Sequence, residues 1–588
     1  MLDHNLPTWD LTDLYDSAED PKIKLDISLL SSKARAFAES YENKVAKLNG
    51  TNLGFAIAEL EEISELAGRI SSFAFLHFAG QVTDPERGRF RQSLNEQMTE
   101  ALEPTLFFTL ELQSMEVDDL DAKLKDPEAS KYASWIDTNI RPFAAYRLAK
   151  DLETYIAQES STTRAGFVRL FDETMAALVV EVRGERLSLE QALNNLQSSD
   201  RSLREESGKT IANALAERSS TLTLITNTLA KAKEIEDRTR GHKSPMETMN
   251  LHNAVEDEVV DALVTAVSSS YQRLAHRYYK MKASWLGLES LRYWDRNAPL
   301  PGADSGEIPY SEAVDTVRKA YEKFSPKLAE VAAPFFENAW IDVPARPGKA
   351  PGAFAHPTVP SAHPYLMLNY QGKVRDVMTL AHELGHGVHQ RLASNQGLFK
   401  SSTPLTLAET ASVFGEMLTF RALLDRDQPD EQRKRLIAGK VEDMLNTVVR
   451  QISFHEFEWA VHQARKTGEL STDQLNKIWL DIAKNSLGPV FDFDDDYGAF
   501  WSYIPHFIHS PFYVYAYAFG DCLVNALYQE YETNPDGFED KYLELLSAGG
   551  SQRHSELLAP FNLDATDPDF WSKGLDFISG LIDELEAL

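Results

Sequence analysis

The amino-acid sequence predicts a mainly α-helical protein of two or three lobes. Three observations carry this expectation. The chain has 588 residues, several times the length of a typical domain. Apolar residues recur at three-four spacing, with charges between them, over most of that length. One stretch, residues 363–370, stands out as a strand candidate.

Taken in order, residues 26–48, 53–80 and 86–115 carry the helical pattern, so the first 200 residues are expected to be antiparallel helices. The acidic stretch from Glu116 to Asp121 and Pro142 are the expected joints. The pattern returns over 151–285 and 309–338, with no internal repeat and no low-complexity tract. Residues 296–306, rich in proline and glycine, are a loop by composition. Residues 343–364 hold six prolines and two glycines and cannot be helix. A connection that long is expected to be either functional or disordered. It leads into the strand candidate His363-Pro-Tyr-Leu-Met-Leu-Asn-Tyr370, and a helix over 374–392 follows at once. An exposed edge on that strand would accept an extended peptide as an added strand, with Tyr365, Met367 and Asn369 as candidate substrate-binding residues.

Composition narrows the function classes. Hydrophobic content of 43% and charged content of 25% are ordinary for a soluble globular protein. The net charge of −31 repels nucleic acid and anionic membranes, so neither is an expected partner. Cys522 is the single cysteine, which excludes internal disulfides and a cysteine-based zinc site. The first residues show neither a basic region nor an apolar one, and no run approaches 18 apolar residues. A cytoplasmic protein is expected. Oligomeric state is left open.

The chemistry centres on His382-Glu383-Leu384-Gly385-His386. On a helix the two imidazoles stand one above the other and reach a single ion, with the Glu383 carboxylate beside it. This suits one Zn(2+) per chain, with Glu383 as the general base for water. The helix divides into two faces. Val374, Val377, Met378, Ala381, Val388 and Leu392 form an apolar stripe, while Arg375, Thr379, His382, His386 and His389 form a chemical one. Gly385 and Gly387 each cost about 1 kcal/mol of helix stability relative to alanine, so close approach of another backbone is expected there.

Zinc needs a third protein ligand. The pattern with a third histidine six residues after His386, and glycine three residues after it, fails because those positions are Leu392 and His389. A glutamate on a following helix is the alternative. Leu405 to Leu418 supplies Glu409, Ser412 and Glu416 on one helical face. Thr406 and Glu409 also have capping-box spacing, but Thr403-Pro404 offers a helix start that frees Glu409. Glu416 is expected to orient an imidazole N–H, and His389 to line the site. Downstream, His506, Tyr513 and Tyr517 share a face if the helix is continuous, with Pro511 able to start or kink it. Such groups serve as oxyanion donors. The acidic run Asp492–Gly498 lacks the glycine and glutamate positions of a calcium loop and is expected to be a solvated turn.

Ala381–His389, Glu409–Glu416 and Pro511–Tyr517 together resemble oligoendopeptidase F, within the thimet oligopeptidase family of zinc metallopeptidases. Trp9–Tyr15, Arg240–Ser244, Tyr293–Pro299 and His363–Tyr370 share the resemblance, which thus runs from near residue 9 to past residue 520. It implies a mainly α, two-lobed helical clamshell with a deep channel and a zincin-like core, in which a small β-sheet lies next to the metal-motif helix. The implied domains are an N-terminal helical region over 1–115, an oligopeptidase F N-terminal-type helical domain over 116–200 and a zinc metallopeptidase catalytic domain over 201–588. The implied activity is endopeptidase cleavage of short peptides, with His382, His386 and Glu409 as metal ligands, Glu383 as base, and His506 with a nearby tyrosine as donors. Helical geometry favours Tyr513, whereas relatives suggest Tyr515. His509 stands where relatives carry tyrosine. A metallo-carboxypeptidase and a non-catalytic peptide-binding scaffold are the alternative functions.

Overall fold

The computed structural model describes residues 6–160, 162–302 and 307–588. The chain is mainly helical, and among the described residues strands occur only in a two-stranded hairpin and a three-stranded sheet. No described helix is long and apolar enough to cross a membrane. The residues fall into two compact units. One comprises Met1–Ala145, Ser305–Asp427 and Glu530–Leu563, and the other Tyr146–Asp304, Gln428–Gln529 and Asp564–Leu588.

The first unit is built on helix α1 (Gly50–Ala79), which begins where the Asn49 side chain accepts the Asn52 N–H at 2.9 Å. Its residues Leu53, Ile57, Leu60, Ile63, Ala67, Ile70 and Ala74 recur at three-four spacing, and all are buried. Three further helices, α2 (Tyr310–Phe324), α3 (Val374–Ala393) and α4 (Thr410–Leu424), pack together with the small sheet. Helix α3 is the metal-motif helix and matches the expected 374–392 to within one residue.

The sheet has strands β1 (Ile341–Pro344), β2 (Phe354–His356) and β3 (Tyr365–Tyr370) in the order β1-β3-β2. Strand β1 runs parallel to β3, with Ile341 opposite Leu366, and β2 runs antiparallel, with Ala355 opposite Leu366. The predicted strand therefore forms, but in the middle of the sheet. It has no edge to offer a peptide, which corrects the expectation for 363–370. The outer side of β1 is met by the N-terminal segment, where Val343 N–H bonds to the Pro7 carbonyl at 3.0 Å. Strand β2 is the edge strand on the other side.

The proline-rich connection 343–364 is ordered by buried charge. Lys349 donates its ammonium to the carbonyls of Asp342, Pro344 and Leu368 and lies 3.3 Å from the Asp342 carboxylate. Arg346 holds both oxygens of the same carboxylate at 2.7 Å. A proline-rich segment has few backbone N–H groups to offer, and here side-chain cations satisfy its carbonyls.

The second unit has its own core, shared by the hairpin Val179–Val182 and Glu185–Ser188 and helices that include α5 (Val449–Arg465) and α6 (Thr472–Leu487). Asp295, fully buried, receives Arg201 at 2.8 Å and Arg204 at 2.9 Å. The Tyr293–Pro299 motif thus holds the second unit together. The acidic run is tied down too, with Asp492 and Asp494 paired to Arg292 at 3.0 and 2.7 Å.

Candidate metal centre

Two glycines and a tyrosine set the geometry of the centre. A β-carbon on Gly385 would stand 2.5 Å from the Ser412 Cα, so glycine lets the backbones of α3 and α4 touch. A β-carbon on Gly387 would meet the Phe335 ring at 2.7 Å, so the second glycine seats the other side of α3. The Tyr321 hydroxyl, from α2, donates to the Ala381 carbonyl at 2.9 Å and lies against Gly415. Helix α4 is buried on nearly all sides, which explains its high apolar content.

This packing brings the predicted carboxylates to the predicted imidazoles. Glu409 Oε2 lies 3.4 Å from His382 Nε2 and 3.4 Å from His386 Nε2. One donor atom from each of the three residues falls within 4.8 Å of the others. Ligands held at 2.0–2.1 Å around a tetrahedral zinc stand roughly 3.3 Å apart, so donor types and spacing both fit zinc. Glu409 is not inside a continuous helix as expected. A short turn, Leu405–Ala408, ends at Glu409, and α4 starts after it. The turn starts at Leu405, one residue ahead of Thr406, so Thr406 is not a helix cap for Glu409. The Ser412 hydroxyl donates to the Glu409 carboxylate at 2.6 Å and fixes it.

The surroundings tune each group. Burial pulls the His382 ring down, but its hydrogen bond to Glu416 and the charges of Glu409, Glu416 and Glu383 outweigh this and raise it to about 9. The contact runs from His382 Nδ1 to Glu416 Oε2 at 3.3 Å and leaves Nε2 facing Glu409. Burial lowers His386 to about 4, a drop that the Glu409 charge only partly offsets. Glu383 is buried beside them, and burial raises its carboxyl to about 7, a rise that the nearby Ala355 backbone N–H on β2 offsets in small part. His389 is also buried, its ring 3.4 Å from the Thr403 hydroxyl, and burial pushes it down to about 4. A cavity of about 230 Å³ opens beside His386 and His389, bordered by Thr358, Val359, Ser402 and Thr403.

Comparison with known proteins identifies the family. Residues 195–577 match peptidase family M3, and residues 111–179 match the Oligopeptidase F family. The chain belongs to peptidase family M3. It is a metallopeptidase. Oligopeptidase PepF of Bacillus subtilis is 26% identical over 596 residues, covering 99% of this chain and 87% of its own. Group B oligopeptidase PepB of Streptococcus agalactiae is 26% identical over 81% of this chain and 80% of its own. The fold is also that of the crystal structure of oligoendopeptidase-F from Enterococcus faecium. That structure has a TM-score of 0.73 and 20% identity, over 96% of this chain and 98% of the other.

In this M3 peptidase the remaining predicted residues separate into two groups. His506, Tyr513 and Tyr517 cluster in the second unit. The His506 and Tyr513 rings stack at 5.9 Å, and His506 Nε2 lies 3.3 Å from the Tyr517 hydroxyl. They meet although the helix is broken. His506–His509 forms one turn, Phe512 takes a left-handed φ of 63°, and helix α7 (Tyr515–Thr533) begins after it. The buried Glu458 carboxylate accepts the Phe512 N–H at 2.9 Å and supports that kink. Tyr515 is fully buried, and its hydroxyl accepts from Asn253 at 2.8 Å. His509 is exposed and lies 2.8 Å from Asp172.

The three strand residues correct the substrate-binding expectation. Tyr365 is buried and donates its hydroxyl to the Asp10 carbonyl at 2.8 Å. Met367 is core, and Asn369 donates to the carbonyls of Ala350 and Gly352 at 3.0 and 2.8 Å. All three serve packing, because a central strand has both edges paired. Ala355 on β2, which sequence reasoning did not single out, is the strand residue that reaches Glu383. Its only signal was its place in the proline-rich connection just before the motif.

Proposed function

We propose that this M3 peptidase is a zinc-dependent endopeptidase that cleaves internal bonds of short peptides, with one zinc ion held by His382, His386 and Glu409. The observation that carries the reading is the convergence of these three donors with the Glu383 carboxylate beside them. The names of relatives, Oligopeptidase PepF and Oligoendopeptidase F homolog, support oligopeptides as the substrate class. A cytoplasmic location belongs to the same proposal and agrees with a single, buried cysteine.

When bound, zinc supplies Lewis-acid polarisation of water and of the scissile carbonyl. The chain's own groups do the rest. Glu383 accepts a proton from the attacking water and later delivers it to the leaving amine nitrogen. Burial suits the Glu383 carboxyl to hold and release that proton near neutrality. Glu416 fixes the His382 ring by accepting from Nδ1 and keeps Nε2 available as a donor. An extended peptide adds to the outer edge of β2, at Ala355, rather than along β3. His506 with Tyr513 or Tyr517 supplies oxyanion donors, and the burial of Tyr515 favours its neighbours for that role.

The test uses fluorogenic peptides blocked at both termini, with zinc measured by mass spectrometry. Glu383→Gln is expected to retain zinc and lose about 10²–10⁴-fold in turnover. Near-normal hydrolysis by that variant would overturn the assignment. Failure of the wild-type enzyme to cut blocked peptides would favour a carboxypeptidase.

A further inference from the structure

A residue in an unusual backbone conformation joins the two halves of the donor cluster. Ser510-Pro511-Phe512-Tyr513 forms a turn closed by the Tyr513 N–H on the Ser510 carbonyl at 3.1 Å. Proline in the second place and a positive φ in the third are the pattern of a type II turn. Glycine or asparagine normally takes that third place. Here it belongs to phenylalanine, at φ 63°. A left-handed φ is costly for so bulky a residue and persists only where the surroundings over-determine it.

Helix α5 supplies those surroundings from one face, where His455, Glu458 and His462 follow at i, i+3 and i+7. The Phe512 ring is fully buried, 5.8 Å from the His455 ring and 5.0 Å from the His462 ring. Glu458 Oε1 accepts the Phe512 N–H at 2.9 Å, a group that the turn itself leaves unbonded. Among the described residues this is the one hydrogen bond of the Glu458 carboxyl, whose other oxygen has no partner. Burial raises that carboxyl to about 8, so near neutral pH it serves as an acceptor rather than as a charge. A buried carboxyl is costly to keep, and the Phe512 bond is what it does in return.

The turn decides where the donors stand. Tyr513 follows Phe512 directly, and its ring meets the His506 ring at 5.9 Å. Tyr517, in the first turn of α7, brings its hydroxyl 3.3 Å from His506 Nε2. We propose that Glu458 is a positioning residue of the peptidase. By bonding the Phe512 N–H it holds the left-handed turn that sets Tyr513 and Tyr517 against His506. The proposal rests on the reading of His506 and these tyrosines as oxyanion donors. All of these residues belong to the second unit.

The test is steady-state kinetics on peptides blocked at both termini, with Tm and zinc content measured for each variant. Glu458→Met keeps the length of the side chain and removes the acceptor. It is expected to lower kcat by about 10–10²-fold, with KM and zinc content unchanged. Glu458→Gln keeps an acceptor oxygen and the neutral state, and should restore kcat to within about twofold of wild type. Added to whichever of Tyr513→Phe and Tyr517→Phe lowers kcat, Glu458→Met should cost nothing further, because the positioned hydroxyl is already gone. A merely structural carboxyl would lower Tm alone. A kcat lowered by a tyrosine variant but not by Glu458→Met overturns the proposal and leaves the donor reading standing. Equal falls for Glu458→Met and Glu458→Gln also overturn it. Silent Tyr513→Phe, Tyr517→Phe and His506→Ala variants overturn the donor reading, and the proposal with it. Should Glu458→Met not fold, phenyllactate placed at position 512 by nonsense suppression replaces only the N–H, by an ester oxygen. Its kcat is expected to fall by about tenfold or more, and an unchanged kcat overturns the proposal.

Discussion

Gly385 of α3 and Ser412 of α4 touch through their backbones, with room for no β-carbon: one placed on Gly385 would stand 2.5 Å from the Ser412 Cα. The contact sets how far Glu409 and Glu416 stand from the two imidazoles. Gly385→Ala is expected to push α4 away at a cost of about 1–3 kcal/mol, despite alanine's better helix propensity. Thermal unfolding should register the loss, and zinc content should fall with it. A variant with full zinc and unchanged Tm would remove this contact from the account of the site.

Glu416 touches His382 at Nδ1, 3.3 Å away, and lies outside the ligand triad. Glu416→Ala is expected to weaken zinc binding by roughly 10–100-fold without abolishing it. Competition with a chromogenic chelator reads this directly. An unchanged zinc affinity would mean that Glu416 orients nothing.

The three tyrosines should separate kinetically. If Tyr513 or Tyr517 donates to the oxyanion, its change to phenylalanine lowers kcat by about 10²–10³-fold and leaves KM nearly unchanged. Tyr515→Phe removes the partner of Asn253 in a buried place, so its expected effect is on stability, about 1–3 kcal/mol, and not on kcat. A large fall in kcat for Tyr515→Phe alone would restore it as the donor.

Buried histidines make stability depend on pH. Burial lowers His356 and His455 to about 4 and His462 to about 3. Unfolded, each titrates near 6.5, so the unfolded state takes up protons first as pH falls. Their stabilisation is full above pH 6.5 and is lost on going down to about 3, at about 1.4 kcal/mol per pH unit for each histidine. Glu458 works in the other direction, since burial raises its carboxyl to about 8. Its contribution is complete below about 4.5 and is lost as pH rises through 8. Urea denaturation in the presence of chelator should therefore peak between these limits. Glu458→Gln should flatten the alkaline side; a mutant curve that still falls there would contradict this origin.

Substrate should respond to β2 and not to β3. Ala355→Pro removes a backbone N–H from the outer strand β2 and is expected to raise KM several-fold for blocked peptides. Asn369→Ala should leave KM alone and lower stability, because Asn369 bonds the carbonyls of Ala350 and Gly352. The opposite pattern would return the substrate to the central strand.

Local signals in the sequence determined the helical class, the metal-motif helix with its two faces, a strand within 363–370 and the four residues Glu383, His382, His386 and Glu409 as a set. Each depends on the period of a helix or strand, or on a short spacing, and periodicity survives in the sequence because it arises from backbone geometry. What only the tertiary structure decided is pairing and position. The order β1-β3-β2 put the predicted strand in the middle and handed the edge to residues 354–356, which have no strand signal of their own. The left-handed Phe512 joined His506 to Tyr513 and Tyr517 across a break that helical geometry alone would not bridge. Arg296 and Arg450, 154 positions apart in the chain, share one cavity. Such contacts depend on which surfaces bury each other, and that information is spread over both partners and lies in neither sequence segment by itself.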